Sequence, residues 1–190
     1  MKIAFVLYDN VTLLDFAGLY DPISRLKTMG FCPDLEYVVS SHTDQIRSSE
    51  GLVMIPDDIC TDFTLYDYVV IPGGDGVKDL MKNSEFLQWI STVGQDTTIA
   101  AVCGGVLLLG AAGLLRDRKV TTHPAMQPVL RHFARDVLED RIVPDGKIIT
   151  AGGVTAAIDL GLYITELIAG RQVRETIQKQ MDYPHYPVTL

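Results

Sequence analysis

Hydrophobic positions along this chain fall into short unbroken runs that end in polar or glycine-containing turns. Lys2 to Leu7 is β-branched and aromatic, shows no polar face and stops at Asp9-Asn10, the pattern of a parallel strand covered on both sides. A helical stretch follows, with Thr12 as its cap, apolar residues through Leu13, Leu14, Phe16, Leu19 and Ile23, a kink or break expected at Pro22, and Gly30 as its stop. Leu35 to Ser40 reads as a second strand, and Val53 to Ile55 as a short extended piece. Tyr66 to Ile71 is another apolar strand, ending in Pro72-Gly73-Gly74-Asp75-Gly76, after which helical spacing resumes from Val77 to Ile90.

The same strand, glycine turn and helix recur at Ile99 to Val102, Cys103-Gly104-Gly105 and Val106 to Leu115. A short strand at Lys119 to Thr122 precedes a helix from Pro124 to Phe133, and Pro144-Asp145-Gly146 marks a hairpin turn. The last strand reaches Thr150 before Ala151-Gly152-Gly153, Thr155 caps a long apolar helix, and Arg171 to Met181 forms a final one. Alternating strands and helices predict an α/β fold, a three-layer sandwich around a mainly parallel sheet whose ligands sit beyond the carboxyl ends of the strands. One domain, residues 1–183, with an extended tail over 184–190, is expected because no repeat, low-complexity tract or linker-like shift appears.

Thr97 to Leu115 lacks charge and approaches the roughly 20 residues of a membrane span. Gly104-Gly105 divide it into a β-like half and a helical half, so a buried strand and a buried helix are expected and a membrane is not. The 190 residues are 47% hydrophobic, which excludes disorder. Sixteen basic against 24 acidic residues give a net charge of −8, the wrong sign for neutralising nucleic-acid phosphates. The first apolar run is too short for an export signal. Its three cysteines, Cys32, Cys60 and Cys103, form no C-x-x-C pair and fit a reducing, cytoplasmic compartment.

Cys103 is the position with chemistry in its surroundings. It closes a strand and opens a helix, with Ala101 two residues before and Gly105 two residues after, the small-x-nucleophile-x-small spacing of a nucleophile elbow. A helix amino terminus favours thiolate over thiol, so ionisation at neutral pH is expected; the competing reading is a buried, inert cysteine. Cys32 and Cys60 lack such a setting and read as structural. The amides of Gly73, Gly74 and Gly104 lie at the same strand edge and are candidate anion donors, although glycine also simply permits the turn. Their G-G-x-G stretch is not a dinucleotide fingerprint.

Asp15 follows the first strand and therefore belongs to this edge as well. Thr12-Leu13-Leu14-Asp15 also matches a capping box, in which the carboxylate satisfies a helix N–H, and the residues alone favour that role. His123, in Thr121-Thr122-His123-Pro124, ends a separate strand and is the one histidine placed to approach Cys103; a satisfied structural histidine is the alternative. His42, His132 and His185 read as surface or tail positions. No histidine pair has a metal-ligand spacing, so no metal is expected.

These residues together resemble the ThiJ/PfpI superfamily, and within it its isonitrile hydratase branch. The resemblance runs from Ile3 to about Tyr183 and rests on Leu14-Asp15-Phe16-Ala17-Gly18 with Tyr20-Asp21, Ile71-Pro72-Gly73-Gly74-Asp75-Gly76, Val102-Cys103-Gly104-Gly105, Leu109 to Leu115, Thr121-Thr122-His123 and Gly152 to Ala156. It implies a flavodoxin-like sandwich, a homodimer, Cys103 as nucleophile, Asp15 as its acidic partner, and the amides around Gly74 and Gly104 as anion donors. It also implies a cofactor-free reaction on a small uncharged electrophile, for which a mainly apolar pocket is expected. Glyoxalase-like hydrolysis and a redox- or ligand-sensing role are the other activities of this setting. One position departs from the branch: Thr follows the nucleophile there, and this chain has Gly104, which supplies no hydroxyl.

Overall fold

The computed structural model describes residues 1–184. Its strands are β1 (Lys2–Leu7), β2 (Glu36–Ser41), β3 (Ile46–Arg47), β4 (Val53–Met54), β5 (Asp58–Ile59), β6 (Tyr68–Ile71), β7 (Thr98–Val102), β8 (Lys119–Val120), β9 (Asp136–Val137), β10 (Ile142–Asp145) and β11 (Ile148–Ala151). The helices are α1 (Leu13–Thr28), α2 (Val77–Leu80), α3 (Ser84–Ile90), α4 (Gly105–Ala111), α5 (Gln127–Leu130), α6 (Ala156–Ala169) and α7 (Arg171–Gln180). The main sheet runs β10-β11-β7-β6-β1-β2-β5, parallel except for the β10–β11 hairpin at one edge. Its inner parallel strands, numbered along the chain, follow the order 2-1-3-4-5, and the order reverses between β1 and β6.

Both faces of the sheet are covered, and this explains the unbroken apolar runs. Side chains alternate across a strand, so a strand buried on both sides needs apolar residues at every position. Ala4, Val6, Val69, Ile71, Ile99 and Ala101 join one core with Leu80, Phe86, Trp89, Val106 and Leu109 from α2, α3 and α4. Ile3, Phe5, Val70, Ala100 and Val102 join the other with Leu19, Ile23, Leu160, Ile164 and Ile177 from α1, α6 and α7. The charge-free stretch Thr97 to Leu115 is β7, the turn and α4 as expected, and among the described residues no helix is long and apolar enough to cross a membrane.

Several boundaries differ from the sequence pattern for local reasons. α1 passes through Pro22 as one helix, because its buried face is clamped against α6, where Pro22 packs on Gly161 and Gly18 on Ala157. The stretch expected as one helix over 77–90 is two, since the Asn83 side chain accepts the Phe86 N–H at 3.0 Å and starts α3 anew. α4 stops at Ala111, and Gly113 (φ 79°) turns the chain away. The expected helix over 124–133 reduces to a 3₁₀ turn, Pro124–Met126, and α5. Asp145 pairs with Ile148, so the β10–β11 turn is Gly146-Lys147 and Pro144 lies within the edge strand, where a missing N–H is tolerated. His42 is half-buried, edge-on to Phe86, rather than at the surface. His185 and the tail beyond Pro184 lie outside the described residues.

Candidate active site

The site is assembled from three turns at the carboxyl ends of neighbouring strands. Asp15 follows β1, Gly73 and Gly74 follow β6, and Cys103 follows β7, with the Gly152–Val154 turn after β11 on the far side. The β1 and β6 turns are stitched together by backbone: Thr12 N–H donates to Gly73 O at 2.9 Å, and Val11 pairs with Gly74 in an isolated antiparallel bridge. Gly73 N–H donates to Asp15 Oδ2 at 3.1 Å, across 58 positions of sequence.

Cys103 sits at φ 54°, in the left-handed region, as a strained elbow requires. A non-glycine residue held there costs about 1–3 kcal/mol unless its surroundings fix it. They do: Cys103 N–H donates to Gly152 O at 2.8 Å, and Cys103 O accepts the Thr122 hydroxyl at 2.6 Å. Gly105 lets the helix start pass under β6, since a methyl group at that position would lie 2.5 Å from Pro72 O. Pro72 O in turn accepts the hydroxyl of Tyr8, a fully buried residue, at 2.6 Å.

Gly73 is the hinge of the geometry. A methyl group there would lie 2.6 Å from Asp15 Oδ2 and 2.7 Å from both Cys103 Cβ and the Gly104 nitrogen, so carboxyl and cysteine share the space one methyl would occupy. Gly73→Ala is therefore expected to cost about 1–3 kcal/mol of stability by overpacking and to slow alkylation of Cys103, read by denaturant unfolding and thiol labelling. Full reactivity in that variant would mean that the close approach has no chemical consequence.

The electrostatics revise one expectation. Burial, joined by the charge of Asp15, pushes the Cys103 thiol up to about 12, against the opposing pull of the Gly104 and Val154 N–H groups that face the sulfur. The helix terminus alone therefore does not ionise Cys103. Burial likewise pushes Asp15 up to about 7, although the Cys103 thiol and the Gly73 N–H hold it down and Glu50 adds to the rise. Asp15 is fully buried, and its Oδ1 meets no hydrogen-bond partner among the described residues. A neutral carboxyl group tolerates that environment far better than a carboxylate. The pair thus holds a proton between them, and a thiolate forms most readily while Asp15 is protonated and its repulsion absent.

Each expected site residue can now be placed. Cys103 and Asp15 are brought together, and Gly104 points its amide at the sulfur. The Gly73 amide is spent on Asp15 rather than on an anion beside Cys103, and Gly74 holds the Val11 bridge. Asp15 is not a capping residue: its bonded oxygen lies on Gly73, and Thr12 makes no side-chain cap. The α1 terminus is instead served by Glu50, whose Oε2 accepts Leu13 N–H at 3.1 Å. His123 packs directly on Gly153, and no hydrogen bond joins it to Cys103 among the described residues. Its Nδ1 accepts the Ala125 N–H at 3.2 Å, which in the neutral ring leaves the proton on Nε2.

Beside this turn opens a cleft of about 500 Å³ lined by Thr121, Thr122, His123, Gln127, Arg141 and Gly153, with Glu139 and Asp140 at its rim. Its lining is largely polar and includes neither Cys103 nor Asp15. Arg141 is anchored there by Thr155 and by the buried Asp159, which also accepts the Tyr183 hydroxyl at 3.0 Å. Among the described residues, no group of three or more His, Cys, Asp or Glu is arranged to hold a metal ion. Tyr8, Arg141 and Glu50 are not marked by the sequence, and Thr122 and Val154, though inside its motifs, have no role assigned by it. Val154 carried a signal, because it follows a glycine turn on the strand beside β7; Glu50 sits in a polar loop with none.

A cysteine elbow on a mainly parallel sheet flanked by helices, with a carboxyl group from the first turn against it, defines the class of protein. The chain belongs to the DJ-1/PfpI family, which it matches over residues 1–167. It is 34% identical over 189 residues to an isonitrile hydratase of Pseudomonas putida, covering 98% of this chain and 80% of that one. A glutathione-independent glyoxalase of Caenorhabditis elegans is 26% identical over 144 residues, 74% of this chain and 77% of the relative. Among solved structures, a ThiJ/PfpI family protein from Pseudomonas syringae superposes with a TM-score of 0.89 at 30% identity, covering 99% of this chain and 77% of that one.

Proposed function

We propose that this protein is a cysteine-dependent hydratase of isonitriles, producing N-substituted formamides through a thioimidate on Cys103. The observation that carries the reading is the Cys103 thiol set against the buried carboxyl group of Asp15, with two amides facing the sulfur. The likeness to a hydratase along nearly the whole chain supports it. With the proton of the pair resting on Asp15, the Cys103 sulfur attacks the terminal carbon of the isonitrile, and Asp15 passes that proton to the carbon, giving R–N=CH–S–Cys103. Water then adds to the same carbon while Asp15 relays one of its protons to nitrogen. Collapse breaks the C–S bond, returns the hydroxyl proton to the Asp15–Cys103 pair and releases R–NH–CHO. Atoms balance without any redox partner.

The likeness to a glutathione-independent glyoxalase of Caenorhabditis elegans supports a second substrate class, a 2-oxoaldehyde. Attack of Cys103 on its aldehyde carbon leads to a 2-hydroxy acid, the glyoxalase-like outcome. Feeding an isonitrile and a 2-oxoaldehyde in parallel and identifying formamide or hydroxy acid decides between the two; product from neither removes both and leaves reversible oxidation of Cys103 as the chemistry to test.

Gly104 supplies an internal check. A methyl group there would meet the Met126 Sδ at 3.2 Å and the Val77 Cγ2 at 3.3 Å, and the end of a methionine side chain moves easily. Gly104→Thr should therefore fold at a modest cost in stability, with Met126 and the buried Val77 giving by a few tenths of an ångström, and place a hydroxyl beside the nucleophile. Formamide production is expected to rise by about tenfold or more, the scale of a positioned proton donor. A loss of activity in a well-folded variant would show that the hydroxyl has no place in this chemistry.

A further inference from the structure

The loop between β3 and β4 lies far from Cys103 in sequence, yet it is fastened to the segment that presents Asp15. Asn10 N–H donates to Arg47 O at 2.7 Å, Ser49 N–H to Val11 O at 2.9 Å, and the Ser49 hydroxyl to Asn10 O at 2.8 Å. The loop is also braced internally, with the Ser48 hydroxyl oxygen accepting the N–H groups of Glu50 and Leu52, both at 3.2 Å. Its tip delivers the Glu50 carboxylate to Leu13 N–H at 3.1 Å, the first residue of α1 and two before Asp15. Thr12, the residue the sequence offers for this duty, makes no side-chain cap.

We propose that Glu50 is a positioning residue for Asp15: it seats the first turn of α1 through the Leu13 amide and sets a fixed negative charge beside the buried carboxyl group. The proposal rests on the reading of Asp15 and Cys103 as a working pair. The titratable groups that face Asp15 are Cys103 from the end of β7, Tyr8 from the end of β1 and Glu50 from the loop. Tyr8 stays neutral because burial, then Asp15 and Cys103, push its hydroxyl well above its ordinary range. Glu50 is ionised: slight desolvation works against it, but the Leu13 N–H, its own backbone N–H and the Ser48 hydroxyl hold it below the usual carboxylate range. Its charge therefore disfavours a second charge on Asp15 and keeps that group protonated to higher pH. A helix cap that only stabilised α1 would need no charge, since a neutral oxygen caps as well.

The test uses the full chain and follows alkylation of Cys103 by iodoacetamide between pH 5 and 9, alongside thermal unfolding. Glu50→Gln keeps an oxygen for Leu13 N–H and removes the charge. It is expected to unfold close to the wild-type temperature, to move the Asp15 inflection to lower pH, and to slow alkylation at pH 7 by about twofold or more, because an ionised Asp15 opposes the thiolate. Glu50→Ala should show the same displacement and also lose roughly 2–4 °C of thermal stability with the cap. In 1 M salt, where screening acts within about 3 Å, the wild-type profile should approach that of Glu50→Gln, since Glu50 is exposed. Asp15→Asn identifies the inflection by abolishing it. If Asp15→Asn leaves the profile unchanged, the pairing of Asp15 with Cys103 is wrong; if it abolishes the inflection while both Glu50 variants match wild type, the role of Glu50 is wrong.

Discussion

Cys103→Ala is expected to lower turnover of any electrophilic substrate by about a thousandfold or more, because the variant has no atom to form the covalent intermediate. Stability should change by no more than about 1 kcal/mol. Alanine keeps the Cβ and inherits the same left-handed backbone, and the hydrogen bonds to Gly152 O and from Thr122 that hold the elbow involve only main-chain atoms of residue 103. The variant also reports on Asp15. Its carboxyl group loses the thiol that helped to hold it down, so its titration, followed by carbon NMR of the carboxyl group, should move further upward. Retained turnover with a folded protein would end every covalent reading of this site.

Asp15→Asn should separate stability from activity, with opposite signs. The folded protein holds the Asp15 proton up to about pH 7, whereas the ordinary value is 3.8, so folding favours the protonated form. Below about pH 4 the group is protonated whether folded or unfolded, and the penalty is absent. As pH rises from about 4 to about 7 the unfolded chain ionises freely while the buried group resists, and stability is lost; above pH 7 the loss is complete. An amide removes the charge while keeping an oxygen for Gly73 N–H, so the variant should be more stable at pH 8 by up to about 4 kcal/mol, roughly 10 °C in Tm, and no more stable at pH 4. Turnover should fall at least about a hundredfold with the proton relay gone. Equal stability at both pH values, or undiminished activity, would show that Asp15 neither carries the burial cost nor handles the proton.

The layered fold was legible because its causes are local. Unbroken apolar strands such as Val69 to Ile71 can only be covered on both faces, and Ala101 and Gly105 around Cys103 mark an elbow because only small residues let helix and strand pass so closely. Where the reading erred, a contact made elsewhere in the molecule overrode the local pattern. Thr12 to Asp15 spells a capping box, but the α1 terminus is taken by Glu50 from another loop, freeing the carboxyl group to bond Gly73. Pro22 reads as a break, but packing on α6 keeps the helix whole.

Order of strands and helices, the turn that lifts Cys103 and the short list of groups at one sheet edge are properties of side-chain period and backbone sterics, and they can be recovered from the chain as written. Which of those groups meet, and how tightly each holds its proton, depends on contacts between residues dozens of positions apart and on the exclusion of water around them. A helix terminus promises an ionised thiol; enclosure in the packed core reverses that promise and hands the exchangeable proton to a carboxyl group from another turn, because desolvation is a property of the assembled molecule and of no single stretch of it.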